Sequence, residues 1–307
     1  MYSLKPGPDN RINYQPELSP ALTLLLLVIL MLLGSGIGNG LAYLLGRAMG
    51  LSLSEVIQGF GRESPLRERN FVRTANLLSH LFTFTVPALL LAGAQYRRRW
   101  AQFLKLDRVP SFNVMNAGIF FLLGVFVFSQ FAYWLNRQLP LPGWASDMES
   151  SAGRLIQGLL VMETPWELGF TVLIVAVLPA VGEELVFRGI LQQELEKAAR
   201  NPIVAIWAGA FIFSAFHLQF AGLLPRLLLG AALGYLFYWA RSLWAPVAAH
   251  FVVNGLQVAG QYYWQQSLPE NSIQEVNWPA VTISAFLVAG LSYYLYRHHQ
   301  NNNGPPE

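Results

Sequence analysis

Apolar residues run along this chain in blocks of about twenty, separated by short polar stretches. About 20 residues of α-helix cross the hydrocarbon core of a membrane. The blocks fall near 20–46, 72–94, 113–135, 166–188, 203–219, 224–240, 243–261 and 279–296. The pattern predicts an all-α protein, a polytopic membrane helical bundle of about eight transmembrane helices. A polar N-terminal tail, 1–19, precedes three spans within 20–150, and five more follow within 151–296. The closing stretch 297–307, which includes HQNNNGPPE, reads as disordered. SAGRLIQGLLVMET, 151–164, has the pattern of an amphipathic helix lying in the interface.

Composition agrees. The chain is 54% apolar and only 12% charged, against about 25% charged in ordinary soluble domains. A formal net charge of +3 gives no nucleic-acid signature. With no cysteine there are no disulfides, thiolate metal sites or cysteine nucleophiles. The basic residues act instead as topology signals. Arg97, Arg98 and Arg99, with Lys105 and Arg108, form the densest cluster and mark a cytoplasmic loop. Both termini are then cytoplasmic, together with Lys5, Arg11, Lys197, Arg200, Arg241 and Arg297. The opposite side takes Arg62, Arg67, Arg69 and Arg73 and the acidic loops around Asp147, Glu149, Glu270 and Glu275. GSGIGNG, 34–40, has no register of a dinucleotide loop; its glycines four apart inside a span suit close helix packing.

Four polar groups interrupt the apolar blocks. They are Glu183, Glu184 and Arg188; His217; His250 with Asn254; and Asn76 with His80. A charge at the bilayer centre costs about 2.5–3.5 kcal/mol on insertion scales, so each group needs a partner. Glu184 and Arg188 are four apart, the spacing of a local ion pair. Glu183 is rotated by about 100° and has Phe187 as its i+4 neighbour, so its partner must come from another helix. The depths converge. The chain climbs about 25 Å from Glu183 to Arg200, turns at Asn201-Pro202, and descends about 21 Å to His217. A second turn at SLWAP, with Ser242 as cap, brings His250 and Asn254 back down. A desolvated glutamate is a general base for water, histidines share a proton or bind metal, and an amide donates to an oxyanion. This set suits hydrolysis of an acyl bond. Asn76 and His80 read as interhelical hydrogen-bonding residues, with substrate contact an alternative for His80.

The same residues carry a family resemblance. GEELVFRG at 182–189 resembles the EExxxR motif of the CPBP intramembrane proteases, also called the CAAX prenyl protease type II or Abi family. FSAFH at 213–217 resembles their FxxxH motif and HFVVN at 250–254 their HxxxN motif, in the same order. The resemblance covers about 166–260 and leaves the first three spans as a variable region. It implies an eight-helix protease whose site opens to the cytoplasm. Glu183 would activate water with His217, His250 and Asn254 would stabilise the oxyanion, and Glu184 and Arg188 would support the site. Descriptions of the family differ on metal. A divalent ion such as zinc on Glu183, His217 and His250, and a metal-free glutamate mechanism, both stand at this point; HExxH is absent. The expected partners are membrane lipid and a peptide or protein substrate, in a bacterial plasma membrane. The alternative is a non-catalytic scaffold or immunity protein that binds a peptide in the same cavity. A proton-coupled transporter lacks the expected internal repeat.

Overall fold

The structure is a computed structural model and describes residues 18–264 and 275–303. Most of the tail 1–19, with Lys5 and Arg11, and also Glu270 and residues 304–307, lie outside the described residues. Among the described residues every regular element is helical.

Helix α1, Pro20–Met49, opens on a Ser19 cap that accepts from the Leu22 N–H and closes on Gly50 at φ 67°. The short α2, Leu53–Gly59, leads to α3, Leu66–His80. A π-turn over Leu81–Thr85 joins α3 to α4, Val86–Tyr96. After α5, Trp100–Phe103, come α6, Phe112–Asn136, and α7, Gly143–Leu159. The next rod is α8, Pro165–Val172, then a π-turn over Leu173–Val177 and α9, Leu178–Val186. A further π-turn, Phe187–Gln192, carries it into α10, Gln193–Ala199. Helices α11, Pro202–Phe216, α12, Leu223–Ala240, α13, Trp244–Trp264, and α14, Trp278–Asn303, complete the bundle.

All eight apolar blocks are helical. Among the described residues six helices are long and apolar enough to cross a membrane: those starting at Pro20, Leu66, Phe112, Pro165, Phe220 and Trp278. Pro202–Phe216 is apolar but shorter, and α13 is diluted by its histidine, asparagine and glutamines. The exposed face of α1 carries Leu25, Leu32, Leu33 and Leu44, each more than half exposed. Such a stripe suits lipid rather than water. The protein is an integral membrane protein.

Small residues set the spacing of α1 against α3. A Cβ on Gly38 would stand 2.8 Å from the Leu78 carbonyl, and one on Gly34 would collide with the Phe82 carbonyl. Gly36 and Gly40 face open space, so half of the glycine stretch does the packing. Two expectations shift. The amphipathic helix begins at Gly143, eight residues before the 151–164 stretch, and ends at Leu159. It is seated by Leu155 and Leu159 against Phe60 and Phe71. The closing tail is helical through Asn303, where disorder was expected from 297. His299 holds it there, with Nδ1 3.2 Å from the Trp239 carbonyl and its ring 4.7 Å from Tyr238.

Candidate active site in the helix core

The site is built on the rod that runs from Pro165 to Ala199. Pro179 has no N–H, so the carbonyl four residues back, Val175, has no ordinary helical donor. The π-turn at Leu173–Val177 lies over this point. Asn254 on α13 donates its Nδ2 to the Val175 oxygen at 3.1 Å. The residue expected to face an oxyanion thus uses one of its two N–H bonds as a splint between α13 and the rod.

Glu184 and Arg188 form the local pair that their spacing predicts. Arg188 Nη1 donates to Glu184 Oε1 at 2.8 Å, with both side chains fully or almost fully buried. Arg188 Nη2 donates to the Gly230 carbonyl at 2.7 Å, and the guanidinium stands 4.9 Å from the centre of the Phe213 ring. One turn on, Gln192 Nε2 donates to the Gly234 carbonyl at 3.1 Å. These two bonds repeat at the same offset along α12. Both need small residues there: a Cβ on Gly230 would stand 3.1 Å from Phe213, and one on Gly234 would stand 2.9 Å from Gln192 Oε1.

Glu184 does more than pair with arginine. His250 Nδ1 donates to the same Oε1 at 2.9 Å. Oε1 already accepts from Arg188, so His250 Nδ1 is the donor in this contact and carries the proton. Its second oxygen, Oε2, is buried without a hydrogen-bond partner among the described residues. His217 caps the end of α11, and its Nδ1 is 2.9 Å from the Phe213 carbonyl. A carbonyl only accepts, so His217 also bears its proton on Nδ1. With the proton on Nδ1, Nε2 is a lone pair when the ring is neutral and a second donor when it is protonated.

Glu183 takes its partner from another helix, as its rotation requires. That partner is His80 at the end of α3, with Nε2 3.4 Å from Glu183 Oε1. His217 and His250 also lie within electrostatic reach of Glu183. Glu183, His217 and His250 of the depth argument therefore share one region, while Asn254 is placed on the Val175 carbonyl of the same rod. Depth alone did not name His80, read from sequence as an interhelical hydrogen-bonding residue; the bond His80 makes between helices is to Glu183. Asn76, four residues earlier, is exposed and takes no part.

The metal set is not assembled. Among the described residues no group of three or more His, Asp and Glu is placed to hold a metal ion. The Nδ1 atoms of His217 and His250 are taken by separate partners, which leaves their Nε2 atoms open, and Glu183 turns to His80. Glu183, His217 and His250 thus share a region without forming a coordination sphere.

A second charged cluster sits near the start of the rod. Glu167 Oε1 accepts from Arg73 Nη1 at 2.8 Å and from Arg69 Nη2 at 3.1 Å, and Oε2 accepts from the Glu163 N–H at 3.0 Å. Glu163 pairs with Arg69 at 2.9 Å. Arg69 with Arg73, and Glu163 with Glu167, are each four apart, a signal legible in the sequence.

Residues 165–256 match the family model described as "Rce1-like: Type II CAAX prenyl endopeptidase Rce1-like". A protein of Bacillus subtilis (strain 168), described as "Uncharacterized protein YpbD", is 26% identical over 89 residues. That match covers 28% of this chain and 42% of the relative, so the chain spans less than half of that protein's length. No solved structure matches. The matched segment holds Glu183, Glu184, Arg188, His217, His250 and Asn254, while His80 lies outside it. Motifs and match agree: residues 165–256 carry a type II CAAX prenyl endopeptidase-like, Rce1-like sequence, and the resemblance read from the three motifs holds.

Proposed function

We propose that this protein is an intramembrane endopeptidase that hydrolyses peptide bonds near the cytoplasmic face of a bacterial plasma membrane, with both termini inside. The observation that carries the reading is a buried glutamate, Glu183, surrounded by His80, His217 and His250 inside a bundle whose core matches that protease family.

Glu183 takes a proton from water, and the resulting hydroxide attacks the scissile carbonyl carbon. His217, with Nδ1 fixed on the Phe213 carbonyl, offers the Nε2 lone pair to share that proton. The developing oxyanion is met by the second N–H of Asn254 and by the Nε2–H of doubly protonated His250, whose ring Glu184 orients through Nδ1. Glu184 acts here as the carboxylate of a triad does, by holding an imidazole in one orientation. The proton then passes to the amine nitrogen as the C–N bond breaks, leaving a carboxylate and an amine. No step is routed through a metal.

The substrate reaches this chemistry from the lipid side. An apolar cavity of about 520 Å³, lined by residues that include Ala180, Val181, Val247 and Phe251, lies along α9 and α13, the helices that carry Glu183 and His250. It suits an apolar peptide segment or the lipid group of a membrane-anchored one.

The test compares new peptide ends in membranes that carry wild-type, Glu183→Ala or Arg97→Ala protein at matched levels. Ends shared by wild type and Arg97→Ala but missing from Glu183→Ala establish the protease and name its substrates. Identical ends in all three favour the scaffold or immunity reading.

A further inference from the structure

His80 is a partly buried polar group that neither the three motifs nor the family match includes, and it makes the hydrogen bond to Glu183. We propose that His80 is a positioning residue of the site. Its Nε2–H holds Glu183 Oε1, and this fixes the carboxylate so that Oε2 faces the water to be activated. The proposal rests on the protease reading of Glu183 and deepens it: the N-terminal variable region supplies part of the site.

Three observations support this role. The first is the tautomer. His80 Nδ1 is buried with no hydrogen-bond partner among the described residues, while Nε2 faces a carboxylate oxygen. A neutral imidazole carries one N–H, and Nε2 is where it finds an acceptor. The second is the fit. A Cβ on Gly182 would stand 3.0 Å from His80 Cε1 and 2.8 Å from Thr85 Oγ1, so the ring reaches Glu183 because its neighbour in sequence lacks a side chain. The third is the clamp. The His80 ring stacks on Phe84 at 4.6 Å, and Phe84 packs at 5.4 Å on Phe216 and at 6.3 Å on Phe187. Phe216 adjoins His217, and Phe187 lies one turn beyond Glu183. The aromatic set therefore ties the orientation of His80 to the elements that carry the base and its neighbouring histidine. A carboxylate left to rotate loses the near-attack geometry on which rate depends.

The experiment uses full-length protein in its own membranes and quantifies the Glu183-dependent peptide ends. Two variants separate positioning from packing. His80→Phe keeps an aromatic ring on Phe84 but has no donor, whereas His80→Gln places an amide N–H near the position of Nε2. The expected result is a loss of tenfold or more in His80→Phe and recovery to within about threefold of wild type in His80→Gln, with unchanged protein levels. A second measurement is independent of cleavage: melting temperatures of purified wild type, His80→Phe, Glu183→Gln and the double variant are compared, with non-additive shifts expected for a direct contact. Activity in His80→Phe within twofold of wild type, equal losses in His80→Phe and His80→Gln, or additive melting shifts would each overturn the proposal. Identical ends from wild type and Glu183→Ala would instead bring down the protease reading, and this role with it.

Discussion

The rod from Pro165 to Ala199 carries two buried acidic clusters, and they are built in opposite ways. At its start, Glu167 is saturated. Two arginines share Oε1, and a backbone N–H occupies Oε2. About 24 Å further along, Arg188 pairs with Glu184 and not with Glu183, and Oε2 of Glu184 has no partner among the described residues. Their other contacts are imidazoles, His80 and His250. Arginine holds its proton permanently, and a carboxylate enclosed by guanidinium groups has no lone pair free for chemistry. Imidazoles exchange protons near neutral pH. The first cluster locks α3 to α8; the second has the acceptor capacity that a hydrolytic site needs.

The contrast is tested most strongly at its two glutamates. Glu183→Ala lowers cleavage by about 10²–10⁴-fold, the usual contribution of a general base, while the protein melts near the wild-type temperature. Glu167→Ala does the reverse. It strands Arg69 and Arg73 in the core and costs about 3–5 kcal/mol of stability, seen as a large drop in melting temperature in detergent. Equal melting temperatures for the two variants would erase the distinction.

A smaller effect sharpens the boundary between support and chemistry. Asn254→Ala leaves the Val175 carbonyl without its splint and costs about 1–3 kcal/mol. In a Pro179→Ala background the helix regains an N–H four residues after Val175, so the same substitution costs less stability. Cleavage measured in the double variant then reports the oxyanion role of Asn254 alone. The smallest expected effect is at the C-terminus. His299→Ala removes one hydrogen bond and a ring contact, lowers stability by about 0.5–1.5 kcal/mol, and speeds amide exchange in the last turns of α14.

Much of the molecule is legible in the order of its residues. The eight apolar blocks are helices because a membrane enforces internal backbone hydrogen bonding, and block length reports it. Glu184 with Arg188 follows from helical spacing, as does the need of Glu183 for a partner elsewhere. The turn at Asn201-Pro202 and the Ser242 cap are local chemistry: Asn201 accepts from the N–H groups of Ile203 and Val204, and Ser242 from that of Trp244. The Arg69, Arg73, Glu163 and Glu167 lock had its spacing in plain view, but which pairs face each other depends on how α3 packs on α8.

What the tertiary structure alone decided is the pairing across helices. Sequence offers Glu183 several imidazoles at a similar depth; rotation about the helix axes and the missing Cβ of Gly182 assign it His80. The same packing gives His250 to Glu184 and turns an Asn254 N–H onto Val175, two choices that one-dimensional spacing does not contain. It also extends α14 past its apolar block, because His299 finds acceptor and ring partners on a helix some sixty residues earlier. Spacing along one helix fixes which side chains share its face. Which face meets which neighbour is settled only when rods of fixed shape close around small residues and leave as few polar groups unpaired as they can.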